Sequence, residues 1–158
     1  MRAEGHAVVV GDDVDTDVIF PGRYLAVLDR KEQARHLFEP LGAEIRDRIM
    51  AGGVVVGGWN LGCGSSREHA VTAMIGAGVR LVIAKSFSRI FYRNAINTGL
   101  AVVIAPELAG ALADGDPVAA DLAAGTAESK GRHFTFSPLP PELLAILAAG
   151  GLWATRAA

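Results

Sequence analysis

The chain has 158 residues, of which 51% are hydrophobic and 20% charged, with 15 Lys plus Arg against 17 Asp plus Glu for a formal net charge of −2. Such a length and composition support one domain with its own core and exclude disorder over most of the chain. The charge balance supplies no broad positive field for a phosphate backbone, which excludes general nucleic-acid binding.

The N-terminal segment MRAEGHAVVVGDDVDTD carries only a short apolar run before its acidic cluster, so it does not read as a secretory signal, and no apolar stretch is long enough to span a bilayer. His6 to Val10 reads as a short buried strand, followed by the loop GDDVDTD and the apolar run Val18-Ile19-Phe20, stopped at Pro21. Asp29 is a candidate N-cap for a helix over Arg30 to Phe38, and a second helix is predicted from Ala43 to Met50. After Gly52-Gly53, the β-branched run Val54 to Val56 reads as a buried strand. A glycine-rich loop follows, then a helix from Ser66 to Ala77, a strand at Arg80 to Ala84, a helix from Phe87 to Asn97 ended at Gly99, and a strand at Leu100 to Ile104. This βαβαβ order predicts an α/β fold with a mostly parallel central sheet and ligand-binding loops after the carboxyl ends of its strands. Short strands at Val118 to Leu122 and His133 to Phe136 predict a peripheral β element, and a helix from Pro140 to Ala149, stopped by Gly150-Gly151, closes the chain.

The acidic loop places Asp13, Asp15 and Asp17 at the first positions of a calcium-loop pattern, but Val18 stands where a glycine is needed and Tyr24 where a bidentate Glu is needed. The plain reading is a polar loop whose Asp side chains cap turns.

The stretch GGWNLGCGSSREHA, residues 57–70, matches neither a dinucleotide loop, a phosphate loop nor a hydrolase elbow: Arg67 replaces the third glycine, Cys63 replaces the lysine, and no glycine follows either serine by two. Ser65-Ser66-Arg67-Glu68 fits a capping box with Ser65 as N-cap. A cap alone requires neither Gly62, Gly64, Ser66 nor Arg67, whereas an anion site uses backbone donors and a guanidinium. Cys63 and His69 raise a nucleophile–base alternative, with no third group apparent to orient the histidine. As the only cysteine, Cys63 can form no internal disulfide and cannot by itself hold an iron–sulfur cluster, in keeping with a reducing cytoplasm. On the predicted helix after Lys85-Ser86, Phe87, Ile90, Phe91 and Ala95 form a core face, and Arg89 and Arg93 form a second, cationic face.

Taken together, DVDTDVIFPGRYL, GCGSSREHA and AKSFSRIFYRNAINTGL resemble, in this order, the small subunits of 3-isopropylmalate dehydratase, the swivel-domain half of the aconitase superfamily. The resemblance runs from about Gly11 to Ile104 and implies one swivelling β/β/α domain of the aconitase type over residues 1–158. It implies a hydro-lyase of leucine biosynthesis that isomerises 2-isopropylmalate and 3-isopropylmalate by dehydration and rehydration. The chain would bind no cofactor or metal itself and be inactive alone, with a 4Fe–4S cluster in a separate large subunit, the partner in a heterodimer or heterotetramer. Ser65 falls on the family's catalytic base, Ser66 and Arg67 on contacts to a substrate carboxylate, and Asp17 on an acidic position before the substrate loop; Gly62 and Gly64 support the same turn.

Substrate selection falls on the loop after Tyr24-Leu25. Relatives acting on a further carboxylate, such as homoaconitase, tend to carry Arg there, and this chain has Ala26 and Val27, apolar surface suited to an isopropyl or methyl group. Arg23, Arg30 and Arg89 are the nearby cations whose reach bears on that selection. A homoaconitase or methylmalate-type hydro-lyase subunit, and a non-catalytic dicarboxylate-binding module, are the alternatives.

Overall fold

The computed structural model describes residues 1–157. In chain order the elements are β1 (Arg2–Gly11), α1 (Thr16–Ile19), α2 (Arg30–Ala34), α3 (Ala43–Met50), β2 (Gly53–Gly57), α4 (Glu68–Gly76), β3 (Leu81–Ala84), α5 (Arg89–Thr98) and β4 (Ala101–Ile104). They continue with α6 (Pro106–Ala111), β5 (Pro117–Asp121), β6 (Thr126–Ser129), β7 (Arg132–Thr135), α7 (Pro141–Ala149) and α8 (Leu152–Ala157).

The strands form one seven-stranded sheet in the order β4-β3-β2-β1-β5-β6-β7. From β4 to β1 all pairings are parallel, and from β1 to β7 all are antiparallel. Val54, Val55 and Val56, then Leu81 to Ala84, are buried along their whole length, as expected of strands covered on both faces. β5 and β6 alternate buried with less buried positions, so the outer half of the sheet is covered on one face only.

Strand β1 joins the two halves. Its N-terminal part pairs with β5 from Arg2↔Asp121 to His6↔Pro117, and its C-terminal part pairs with β2 from His6↔Gly53 to Gly11↔Gly57. The sheet is curled, because the six-residue α6 lies against both β3 and β7. Those strands stand five interstrand spacings apart in the sheet order, roughly 24 Å if flat, far beyond the reach of so short a helix.

The helices α2, α4, α5, α7 and α8 pack in succession. Gly76 lets α4 approach α2, since a Cβ there would lie 2.0 Å from the Arg30 carbonyl oxygen. Gly99 and Gly150 end α5 and α7 in left-handed conformations, as their positions in the sequence predict.

The apolar run Val18-Ile19-Phe20 falls partly on a helix: Thr16 to Ile19 make one helical turn capped by Asp15, whose Oδ1 accepts from the Val18 N–H at 2.8 Å. Three local expectations require correction. The helix capped by Asp29 stops at Ala34, and the chain turns through Phe38, which is left-handed at φ 52°. The helix predicted from Phe87 begins at Arg89, with Ser88 as its cap. The helix predicted from Ser66 begins at Glu68, with Arg67 at the N-cap and no side-chain cap, so the Ser65–Glu68 capping box does not form.

Candidate active site at the carboxyl ends of the parallel strands

Three loops meet where β1, β2 and β3 end, the edge of an open α/β sheet at which ligands bind. The loop after β1 is stitched to the loop after β2: the Gly58 N–H donates to the Gly11 carbonyl at 2.8 Å, Asp13 N–H to Trp59 at 2.9 Å, Gly62 N–H to Val14 at 2.8 Å and Thr16 N–H to Cys63 at 2.9 Å. The loop after β2 is fixed in turn to the loop after β3, by Leu61 N–H to Ser86 and Ser88 N–H to Leu61, both at 3.0 Å, and by the Ser88 hydroxyl donating to the Gly62 carbonyl at 2.8 Å. The loops are held as a unit by backbone hydrogen bonds.

Gly62 has a steric reason to be glycine. Its φ is +83°, and a Cβ there would lie 2.3 Å from Cγ of Phe91, a buried residue of α5. The glycine therefore lets the loop seat on α5. Gly64, also left-handed, has no such crowding.

The acidic cluster divides its labour. Asp15 caps α1, and Asp12 Oδ1 accepts from the Trp59 N–H at 2.8 Å, as the turn-capping reading predicts. Asp17 instead faces Arg67: the guanidinium Nη1 donates to Asp17 Oδ1 at 2.6 Å and to the Phe20 carbonyl at 3.1 Å, and the Gly22 N–H donates to the same Asp17 oxygen at 2.9 Å. The Arg67 hydrogen bond first, then the Gly22 N–H, hold the Asp17 carboxyl below its ordinary range, with the charge of Arg23 contributing least. The Arg67 side chain is 19% exposed, and its Nε and Nη2 make no hydrogen bond among the described residues. One edge of a fixed guanidinium is thus left for a carboxylate.

Ser65 and Ser66 are exposed, just before α4. The hydroxyl of Thr16, a residue only 3% exposed, donates to the Ser65 carbonyl at 3.0 Å and lies 3.5 Å from Ser65 Oγ. The N–H groups from Gly64 to His69 have no acceptor among the described residues. They make a row of donors running into a helix start, suited to an anion. Sequence reasoning missed Thr16, which nothing local marks, since its contact spans 49 residues.

The nucleophile–base alternative loses its basis. Burial first, then the Asp15 and Asp13 carboxylates, push the Cys63 thiol up, the reverse of activation. His69 is stacked on Phe20 at 5.6 Å between ring centroids. The same observations show that the donor set of this chain does not suit an iron–sulfur cluster: there is one cysteine, and its thiolate is disfavoured.

The loop predicted to select substrate begins with the turn Gly22–Tyr24 beside the Asp17–Arg67 pair. Ala26 is exposed and Val27 half-buried, and the loop is tied by the Val27 N–H to Tyr24 at 2.9 Å and by Gln33 Nε2 to the Val27 carbonyl at 2.8 Å. Arg23 is turned toward Glu39. Arg30 lies in α2, sharing a surface cleft with Glu68, Asn94 and Trp153, and Arg89 is exposed at the start of α5. No helix among the described residues is long and apolar enough to cross a membrane.

Comparison with known proteins places the chain in a family. The Aconitase C-terminal domain family matches residues 47–107. The 3-isopropylmalate dehydratase small subunit of Helicobacter hepaticus is 47% identical over 153 residues, 96% of this chain and 93% of its own length. The 2,3-dimethylmalate dehydratase small subunit of Eubacterium barkeri is 44% identical over 154 residues, 96% of this chain and 94% of its own length. The crystal structure of 3-isopropylmalate dehydratase from Methanocaldococcus jannaschii superposes with a TM-score of 0.92 at 43% identity, covering 99% of this chain and 94% of that one. With this fold, these three loops and relatives matched along nearly their whole length, the chain belongs to the family of 3-isopropylmalate dehydratase small subunits, of the aconitase superfamily.

Proposed function

We propose that this chain is the small subunit of a 3-isopropylmalate dehydratase, interconverting 2-isopropylmalate and 3-isopropylmalate by dehydration and rehydration in the leucine pathway of the cytoplasm. It acts as one aconitase-type swivel domain over residues 1–158, closing on a large subunit in a heterodimer or heterotetramer. The observation that carries this reading is that the free edge of Arg67, the exposed Ser65 and Ser66, and a row of N–H groups without an acceptor among the described residues all belong to one short segment, 64–69, beside the ends of the parallel strands.

Arg67 and Ser66 hold a substrate carboxylate, with Asp17 and the Phe20 carbonyl fixing the guanidinium. Ser65 Oγ, as an alkoxide, takes the proton from the carbon beside a carboxylate, its charge offset by N–H donors and by Arg67. Hydroxide leaves the adjacent carbon to give an alkene, and water adds back with the opposite regiochemistry under return of the proton from Ser65. A 4Fe–4S cluster held by a large subunit would supply Lewis-acid assistance to the hydroxyl leaving group. Ala26 and Val27 face the branched alkyl group.

The test is reconstitution with the large subunit and assay of 2-isopropylmalate, in which the small subunit alone is inactive and Ser65→Ala loses turnover. Near-normal turnover of Ser65→Ala refutes the base assignment, and tight dicarboxylate binding by the isolated chain favours a non-catalytic module. A second reading, a dehydratase of smaller methylated malates, is favoured by the 44% identity to the 2,3-dimethylmalate dehydratase subunit and by the same apolar loop. The ratio of activities on the two substrates separates them.

A further inference from the structure

We propose that Glu39 is a specificity-determining positioning residue: it holds the Arg23 guanidinium away from the substrate site and so bars substrates whose side chain ends in a further carboxylate. This inference rests on the reading of the site given under Proposed function.

Between Asp17 and Asp29, Arg23 is the only cation. Its backbone belongs to the turn that touches the carboxylate-binding pair, since a Cβ on the preceding Gly22 would lie 3.4 Å from both Arg67 Nη2 and Asp17 Oδ1. An arginine rooted there has the length to reach a ligand held by Arg67, and its charge already contributes to lowering the Asp17 carboxyl, after the larger effects of Arg67 and Gly22. A second guanidinium in the pocket would accept an additional carboxylate bidentately.

Arg23 is instead occupied. Its Nη2 donates to Glu39 Oε1, the oxygen that also accepts from the Tyr24 hydroxyl at 3.1 Å, while His36 Nδ1 lies 3.4 Å from Glu39 Oε2. The Tyr24 ring stacks on His36 at 3.6 Å between centroids, and the Arg23 guanidinium lies over the Tyr24 ring at 4.8 Å from its centroid. Glu39 itself is rigidly mounted. It follows Phe38, a fully buried left-handed residue whose N–H donates to the Ile19 carbonyl at 2.8 Å, and it opens the turn Glu39–Leu41. An isolated exposed ion pair would restrain an arginine weakly, whereas a carboxylate with three partners, stacked rings and a fixed backbone restrains it well. Removing the negative charge leaves the guanidinium without its strongest acceptor and free to turn toward Asp17, whose carboxyl already feels its charge, and toward a carboxylate bound beside Asp17.

The experiment uses the reconstituted two-subunit enzyme and compares kcat/KM for homoaconitate with that for 2-isopropylmalate. Glu39→Gln raises this ratio about tenfold or more, and adding Arg23→Gln returns it to the wild-type value. Arg23→Gln alone leaves the ratio within about twofold, because the tethered arginine does not meet substrate. An unchanged ratio in Glu39→Gln overturns the proposal, as does a gain that persists in the double variant. Circular dichroism and thermal melting establish that Glu39→Gln is folded; if it is not, Arg23→Gln alone decides, since a fall in its ratio shows that Arg23 already serves the substrate. A wild-type enzyme inactive on both compounds counts against the proposed function rather than against the role of Glu39.

Discussion

Replacing Arg67 by Lys tests the carboxylate site most directly. The Nη1 atom is committed to Asp17 at 2.6 Å and to the Phe20 carbonyl at 3.1 Å, and Nε and Nη2 form the free edge. A lysine keeps the charge but has one nitrogen to serve Asp17, Phe20 and the substrate together. The substrate then loses one of two charge-assisted hydrogen bonds, each worth about 1.5–3 kcal/mol, or roughly 10- to 150-fold in kcat/KM. Folding should change little, because Asp17 is 67% exposed and stays solvated when its partner withdraws. The assay follows the conjugated alkene intermediate by ultraviolet absorbance in the two-subunit enzyme, with thermal melts of the small subunit run alongside. A kcat/KM within threefold of wild type would refute the reasoning, and so would a loss of activity matched by a drop in melting temperature of about ten degrees or more.

Three further outcomes are expected. Thr16→Val removes a buried hydroxyl 3.5 Å from Ser65 Oγ and leaves the Ser65 carbonyl without its donor; kcat falls about tenfold while KM stays near wild type, and Thr16→Ser restores it, as steady-state kinetics will show. Gly62→Ala places a methyl group 2.3 Å from Phe91 Cγ at a φ of +83° and costs about 2–4 kcal/mol, read as a lowered denaturation midpoint that Phe91→Ala partly recovers. Acid unfolding follows from Asp114 and Asp116, whose carboxyls are held low, chiefly by Arg48 and by Lys130 respectively. Groups depressed in the folded state stabilise it above their unfolded value, about pH 4, and lose that contribution as pH falls through the folded value; Asp114→Asn flattens the acid limb of a melting-temperature profile.

Parts of this fold were legible because their information is local. Val54 to Val56 and Leu81 to Ala84 are continuous apolar runs in the sequence and lie fully buried in the parallel half of the sheet. Strand β6 was not legible: in TAES only Ala127 is apolar, and the strand exists because it sits between β5 and β7 with one face open. Helix α6 is a short element whose helical signal is Pro106 at its first position. The capping box shows how a correct local pattern can be displaced. Ser65 and Glu68 have the right spacing, but the Thr16 hydroxyl holds the Ser65 carbonyl and Gly64 turns at φ +96°, so Ser65 lies in a bend and the helix starts only after the extended Arg67. The serine that would have capped the helix keeps its hydroxyl exposed.

That displacement bears directly on the base role proposed for Ser65. A serine capping its own helix ties one N–H to itself, whereas here, among the described residues, the polar contact of Ser65 Oγ is the Thr16 hydroxyl at 3.5 Å, and the N–H groups from Gly64 to His69 have no acceptor. The order of the loops is maintained from beneath, by backbone bonds between the ends of β1, β2 and β3 and by Gly62 seated on Phe91, rather than by bonds among the reactive groups. Rigidity and reactivity are therefore assigned to different atoms. The loop keeps its shape when exposed and its donors stay available for an anion, as the proposed role beside a large subunit requires.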